Sequence, residues 1–204
     1  MGILIKLYSH IYTLKMSQWL RLKLNKLYTQ WISQFIGEVG EDVSIHKPLY
    51  LEGDGRDCIH IGSATTIQEN CVLGCRKHYG NQMFEPEIRI GSHCDIGAYS
   101  HITAINHITI GDGLLTGRYV FIGDNAHGGL SFEEANIPPG KRDLKTKGEI
   151  RVGNNVWIGD KTTILSGVTI GDNVIVAANS VVTHNVPANC IVAGVPAKVV
   201  KIIE

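Results

Sequence analysis

Histidine and cysteine carry most of the chemistry available to this chain. His127 lies in the Gly- and Asn-rich stretch IGDNAHG, Ile122 to Gly128. An imidazole titrates near neutrality, so it can take the proton of a hydroxyl that is otherwise a poor nucleophile. A lone loop histidine is as readily explained as a solvated one, and this is one of nine. His101 and His107 lie six residues apart, which suits either substrate contacts or two idle positions on an outer face. Were His101, His107 and His127 to converge, they would make a metal site instead. The pattern Cys71-x-x-x-Cys75-x-x-His78 has the spacing of half a zinc site. Structural zinc draws four ligands from two tight clusters, and no second cluster follows.

The elements that must position these groups are bounded by composition. With 204 residues, 44% of them hydrophobic, the chain suffices for one main domain and an appendage. The five cysteines, Cys58, Cys71, Cys75, Cys94 and Cys190, are odd in number and predict reduced thiols. Lys plus Arg and Asp plus Glu both total 19, so the balance points to no nucleic-acid partner. The distribution is less even: residues 1–37 contain Lys6, Lys15, Arg21, Lys23 and Lys26 and no acid. No apolar run approaches the roughly 18 residues that span a bilayer, and Lys6 and His10 interrupt the one candidate signal-peptide core, which predicts a cytoplasmic protein.

Residues 1–39 read as a basic, amphipathic helical segment. Leu20, Leu24, Leu27, Trp31 and Phe35 recur at a three-and-four spacing and predict its apolar face. Such a helix either packs on the main domain or a neighbouring subunit, or lies on an anionic membrane at the inner face.

From residue 150 a period of six runs unbroken through Val152, Ile158, Ile164, Ile170, Val176 and Val182, with a second register at Ile150, Val156, Thr162, Val168, Val174 and Ser180. Neither 3.6 nor 2 fits that period, whereas short strands and tight turns stacked in coils do. The glycines after the aliphatic position, such as Gly91, Gly97, Gly153 and Gly171, are expected to supply positive φ at the turns. The repeat continues imperfectly through Ile61, Ile90, Ile96, Ile102, Ile110, Thr116 and Ile122, broken near 71–87, 104–109 and 124–149, where loops should leave the coil. A structureless loop as long as 124–149 is usually either functional or disordered, which makes it the first place to look for a site.

The segments NNVWIGD, AANSVVT and AGVPAKVVK, in this order and with IGDNAHG upstream, resemble the hexapeptide-repeat acetyltransferases, especially the maltose, galactoside and polysaccharide O-acetyltransferases. The resemblance covers residues 40–204 and implies a mainly β, left-handed parallel β-helix with an extended active-site loop. It also implies a homotrimer with sites between chains and acetyl-CoA as co-substrate, no resident metal, and His127 as general base. The same resemblance places an oxyanion donor at the main chain of Asp160. It puts Trp157, Ala178, Thr183, Lys198 and Lys201 along the coenzyme, although Trp157 could equally fill a gap between coils and the lysines could be ordinary surface charge.

Two features depart from the family. The asparagine or acid that orients the histidine has no motif match; Asn106, Thr103 and Asn125 are candidates, with Asn125, His101 and Asn106 as acceptor contacts. The basic N-terminal stretch replaces the usual short region, which shifts the expected acceptor from a free sugar toward a lipid-linked or surface polysaccharide precursor. Other acceptors compatible with the family are serine, an antibiotic or an amino sugar. The fold also hosts γ-carbonic anhydrase-like metal enzymes, and scaffolds that only assemble.

Overall fold

The computed structural model describes residues 2–129 and 131–203. Two helices, α1 (Gly2–Ile11) and α2 (Leu14–Ile32), precede a left-handed parallel β-helix whose first strand is Glu38–Val39. Each turn of the coil lays one short strand on each of three faces. The first face runs from Glu38–Val39 through Ile59–Ile61, Glu87–Ile90, His107–Ile110 and Ile150–Val152 to Thr169–Ile170. The second runs from Ser44–Ile45 to Cys190–Gly194 and closes with the antiparallel strand Ala197–Ile202. The third runs from Leu49–Glu52 through Cys71–Cys75, His101–Ala104, Phe121–Gly123 and Thr163–Ile164 to Val181–Val182.

Both registers of the six-residue period point inward. Val152, Ile158, Ile164, Ile170, Val176 and Val182 are buried, and so are Ile150, Val156, Thr162, Val168, Val174 and Ser180. Branched side chains suit this pleated interior, and each buried Ile or Val stabilises the coil by about 1.5–3 kcal/mol. Thr116, the one hydroxyl in its column of the second face, accepts the N–H of Gly97 at 2.8 Å and so enters the core satisfied.

The glycines act differently from expectation. Positive φ falls two residues further on, at Asn155, Asn173 and His93 for example, and not at Gly153, Gly171 or Gly91. Asparagine tolerates that conformation well. Glycine is needed because successive coils touch: a Cβ on Gly97 would lie 2.1 Å from the carbonyl oxygen of Gly117.

The breaks also move. Residues Cys71–Cys75 continue the third face, and the excursion is confined to 76–86, with a hairpin of His78–Tyr79 and Gln82–Met83. No loop leaves at 104–109, where the chain turns tightly from Ala104 to His107. The long excursion at 124–149 has structure of its own: an antiparallel pair, Ala126–His127 with Leu144–Lys145, and the short helix α3 (Phe132–Ala135). Both excursions leave from the end of the third face and therefore stack on one corner of the prism.

Helix α2 caps the open end of the first coil. The Tyr28 hydroxyl accepts the N–H of Leu49 at 2.9 Å and the Thr29 hydroxyl that of Ile45 at 2.8 Å, pairing edge groups that a solenoid end would leave bare. The docking side is thus Asn25, Tyr28, Thr29 and Ile32. The expected apolar stripe lies outside it: Leu24, Leu27 and Trp31 are each more than half exposed, and Leu20 and Phe35 are also exposed. Among the described residues no helix is long and apolar enough to cross a membrane.

Candidate active site

His127 is held on the antiparallel pair, opposite Leu144. The excursion around it is stitched internally. Ser131 caps α3 by accepting the N–H of Glu134, and the Glu134 carboxylate accepts the N–H of Gly129 at 2.8 Å while pairing with Lys145. That pairing holds the Glu134 carboxyl below its ordinary range. Arg142 donates to the carbonyls of Ile137 and Ala135. These bonds fix the backbone on both sides of an imidazole that stays solvent-exposed.

Two cavities meet at that imidazole. The smaller, of about 310 Å³, is lined by Glu52, Arg76, Tyr79, His101, Thr103, Phe121 and His127. The larger, of about 680 Å³, is lined by His127, Gly128, Gly129, Arg142, Lys145, Lys147 and Leu165. Asn125 borders both, and its side-chain amide donates to the Thr103 carbonyl and to Asp124. Aromatic rings and mixed charge characterise the first cavity, and three cationic side chains the second. His101 packs edge-on against Phe121 with ring centroids 5.5 Å apart, and burial lowers its pKa, with Glu52 pulling weakly the other way.

The structure brings His101, Thr103, Asn125 and His127 together and leaves other expected contacts elsewhere. Asn106 contributes its backbone, donating its N–H to Asp124 and accepting that of Glu87. His107 lies on the first face in register with Glu87, so His101, His107 and His127 do not converge within one chain. Among the described residues no three His, Cys, Asp or Glu side chains are placed to hold a metal. Cys71 and Cys75 point into the core, where burial pushes their thiols up to about 11 and about 12, while His78 is exposed and pairs with Asp54, so the half zinc pattern is not a site. All five cysteines are free.

The expected coenzyme residues form a separate group. Trp157 is half exposed on the second face between Leu115 and Ile175. Asp160 lies at the corner between the second and third faces, where its carboxylate accepts the N–H of Arg118 and its carbonyl that of Asn179. Ala178 occupies the same corner one coil on, packed over Gly159. Lys198 and Lys201 are exposed on the last strand of the second face, opposite Ala193 and Ile191. Thr183 stands apart from these, one coil beyond Leu165 on the third face. The imidazole and most of the expected donor-binding set therefore occupy different edges of the same prism.

Sequence reading missed Tyr79, Gln82, Phe121 and Asp124. Only Asp124 gave a signal: it stands two residues after Ile122, on the inward register, where a charge must find partners.

Comparisons with known proteins agree with this architecture. The bacterial transferase hexapeptide family, of six repeats, matches residues 149–184. The chain is 39% identical over 161 residues to a putative lipopolysaccharide biosynthesis O-acetyl transferase, WbbJ, of Escherichia coli K12, covering 77% of each protein. It is 35% identical over 175 residues to the galactoside O-acetyltransferase of the same organism, covering 83% of this chain and 66% of that one. Its fold resembles that of the N-acyltransferase AntD from Bacillus cereus, solved with dTDP and coenzyme A, with a TM-score of 0.69 and 24% identity over 86% of this chain and 89% of that one.

Proposed function

The chain belongs to the hexapeptide-repeat acyltransferases, and we propose that it moves an acetyl group from acetyl-CoA to a sugar hydroxyl, with His127 as general base. The observation that carries this reading is the exposed imidazole of His127 at the meeting of two cavities, one aromatic and one cationic. A base must touch the hydroxyl while that hydroxyl reaches the thioester, and a histidine bordering both spaces meets the requirement. Phe121 and Tyr79 suit the apolar face of a sugar ring, and His101 and Asn125 its hydroxyls. His127 takes the hydroxyl proton as the oxygen attacks the thioester carbon. The oxyanion then collapses, and the departing thiolate recovers the proton from the imidazolium.

The donor-binding set at Trp157, Asp160, Ala178, Lys198 and Lys201 serves a neighbouring chain in this reading, whereas Thr183, one coil beyond the cavity residue Leu165, meets the coenzyme from the same chain as His127. The second face and its corner with the third lie away from the chain's own His127, so a homotrimer supplies the missing half of each site. The N–H of Asp160, which has no acceptor among the described residues, is then available to the oxyanion. Likeness to a protein named for lipopolysaccharide biosynthesis supports a surface-polysaccharide precursor as acceptor. The bare stripe of Leu24, Leu27 and Trp31 beside Arg21, Lys23 and Lys26 supports peripheral contact with an anionic membrane carrying such an acceptor.

The test is acetyl-CoA turnover, read by thiol release, across free sugars, glycans, lipid-linked sugars, amino sugars and serine. His127→Ala should lose about 100-fold or more. Unchanged turnover in that variant overturns the assignment of the base, and turnover confined to amines or serine overturns the sugar hydroxyl.

A further inference from the structure

We propose that the hairpin of His78–Tyr79 and Gln82–Met83 positions the base, Tyr79 selecting the tautomer of His127 and Gln82 fixing the strand opposite it; this rests on His127 being the base proposed above. The Tyr79 hydroxyl lies 2.7 Å from the carbonyl oxygen of Gly140, to which it donates. A carbonyl only accepts, so that bond uses the single proton of the phenol. The same phenol oxygen lies 3.3 Å from Nδ1 of His127. With its proton committed to Gly140, it can only accept there, which requires Nδ1 to carry the hydrogen. Nε2 is then left with the lone pair that takes the proton of the attacking hydroxyl. After that transfer Nδ1 is still a donor, so the bond to Tyr79 persists in the imidazolium and no partner has to reorient.

The rest of the hairpin keeps this geometry in place. The rings of Tyr79 and His127 meet edge to face with centroids 5.5 Å apart, and the Arg76 guanidinium lies 5.9 Å from the centre of the Tyr79 ring. Gln82 spends both ends of its amide on one residue, donating to the Leu144 carbonyl at 3.1 Å and accepting the Leu144 N–H at 2.7 Å. Leu144 is the register partner of His127. One hairpin from an earlier coil thus holds both the ring of His127 and the strand against which His127 is paired. Neither Asn106, Thr103 nor Asn125 makes a hydrogen bond to His127 among the described residues, so the orienting group is a phenol.

The experiment combines nitrogen-15 NMR of the histidine rings in the full-length protein with steady-state kinetics. In the wild type at a pH where the ring is neutral, the His127 signals should be those of the Nδ1–H form. In Tyr79→Phe, which keeps the ring but not the hydroxyl, they should move toward the mixture of a free imidazole. The same variant should lose about tenfold or more in kcat with KM little changed. Gln82→Ala should lower kcat, and Gln82→Glu should restore little of it, since a carboxylate cannot donate to the Leu144 carbonyl. A wild-type His127 in the Nε2–H form, or Tyr79→Phe with wild-type spectra and kcat, overturns the role of Tyr79. If instead the tautomer is Nδ1–H and sensitive to Tyr79 while His127→Ala retains turnover, it is the assignment of the base that fails.

Discussion

The Asp124 carboxylate accepts the backbone N–H of Asn106 across 2.8 Å, and its other oxygen accepts that of Ile105 at 2.9 Å. This pairing ties the residue at which the long excursion departs to the tight corner of the coil beneath it. Burial raises the pKa of Asp124, while these two N–H groups, Asn125 and His107 pull it back down. The corner thus depends on an anion that is costly to bury and costlier to remove.

Asp124→Ala should therefore destabilise the protein by about 3 kcal/mol, since the buried N–H of Ile105 and the partly buried N–H of Asn106 lose their acceptor. Asp124→Asn retains one acceptor oxygen and should cost less. Urea denaturation of the three proteins gives the order directly, and an Asn variant no more stable than the Ala variant would contradict it.

Mixed oligomers test whether sites form between chains. His127→Ala and Ala178→Trp, each inactive when pure, should regain activity when co-expressed. With random assembly, about a quarter of the sites combine an intact loop with an intact groove. No recovery in verified mixed oligomers would place both halves of a site on one chain.

His101 gives a pH dependence with a definite sign. Burial lowers its pKa, so the folded chain takes up a proton less readily than the unfolded one. The stability this contributes is present above the ordinary histidine value and is lost as pH falls through the folded value. Between about pH 7.5 and pH 5.5, wild type should lose more stability than His101→Gln. Parallel losses in denaturation series at the two pH values would refute the assignment.

Coil stacking should be intolerant of a methyl group at Gly97 and indifferent to one at Gly140. The first Cβ would meet the Gly117 carbonyl oxygen at 2.1 Å, and the second meets nothing within 4 Å. Gly97→Ala is expected to cost at least about 2 kcal/mol, and Gly140→Ala to stay within about 0.5 kcal/mol. Thermal melts of the pair check this, and equal melting temperatures would show that the coils can separate.

Vesicle flotation tests the basic helix. Binding to anionic vesicles should fall on Arg21→Glu, Lys23→Glu and Lys26→Glu combined, and should weaken with salt. These side chains are exposed, and among the described residues none of them makes a hydrogen bond or an ion pair, so the fold should survive. Flotation unaffected by the three reversals, or absent from the wild type, would remove the membrane from the account.

The sequence by itself determined the coil. A six-residue period with two inward positions per repeat admits one way of burying its branched side chains, so the core columns from Ile150 to Val182 were legible residue by residue. Family likeness pointed to His127, to the expected donor-binding group and to sites between chains, yet which edge of the prism each residue occupies came from the fold. The tertiary structure decided whatever depends on contacts between coils. Glycine stands at Gly97 because Gly117 passes beneath it, and not because its own φ is positive. The apolar stripe of α2 is bare because Tyr28 and Thr29, on another side, satisfy the edge of the first coil. Tyr79 meets His127 from 48 residues away because both excursions leave the same corner. Period and propensity are local properties that a sequence displays. Which side chain meets which across stacked turns is set by where the coil returns, and only the folded chain contains that.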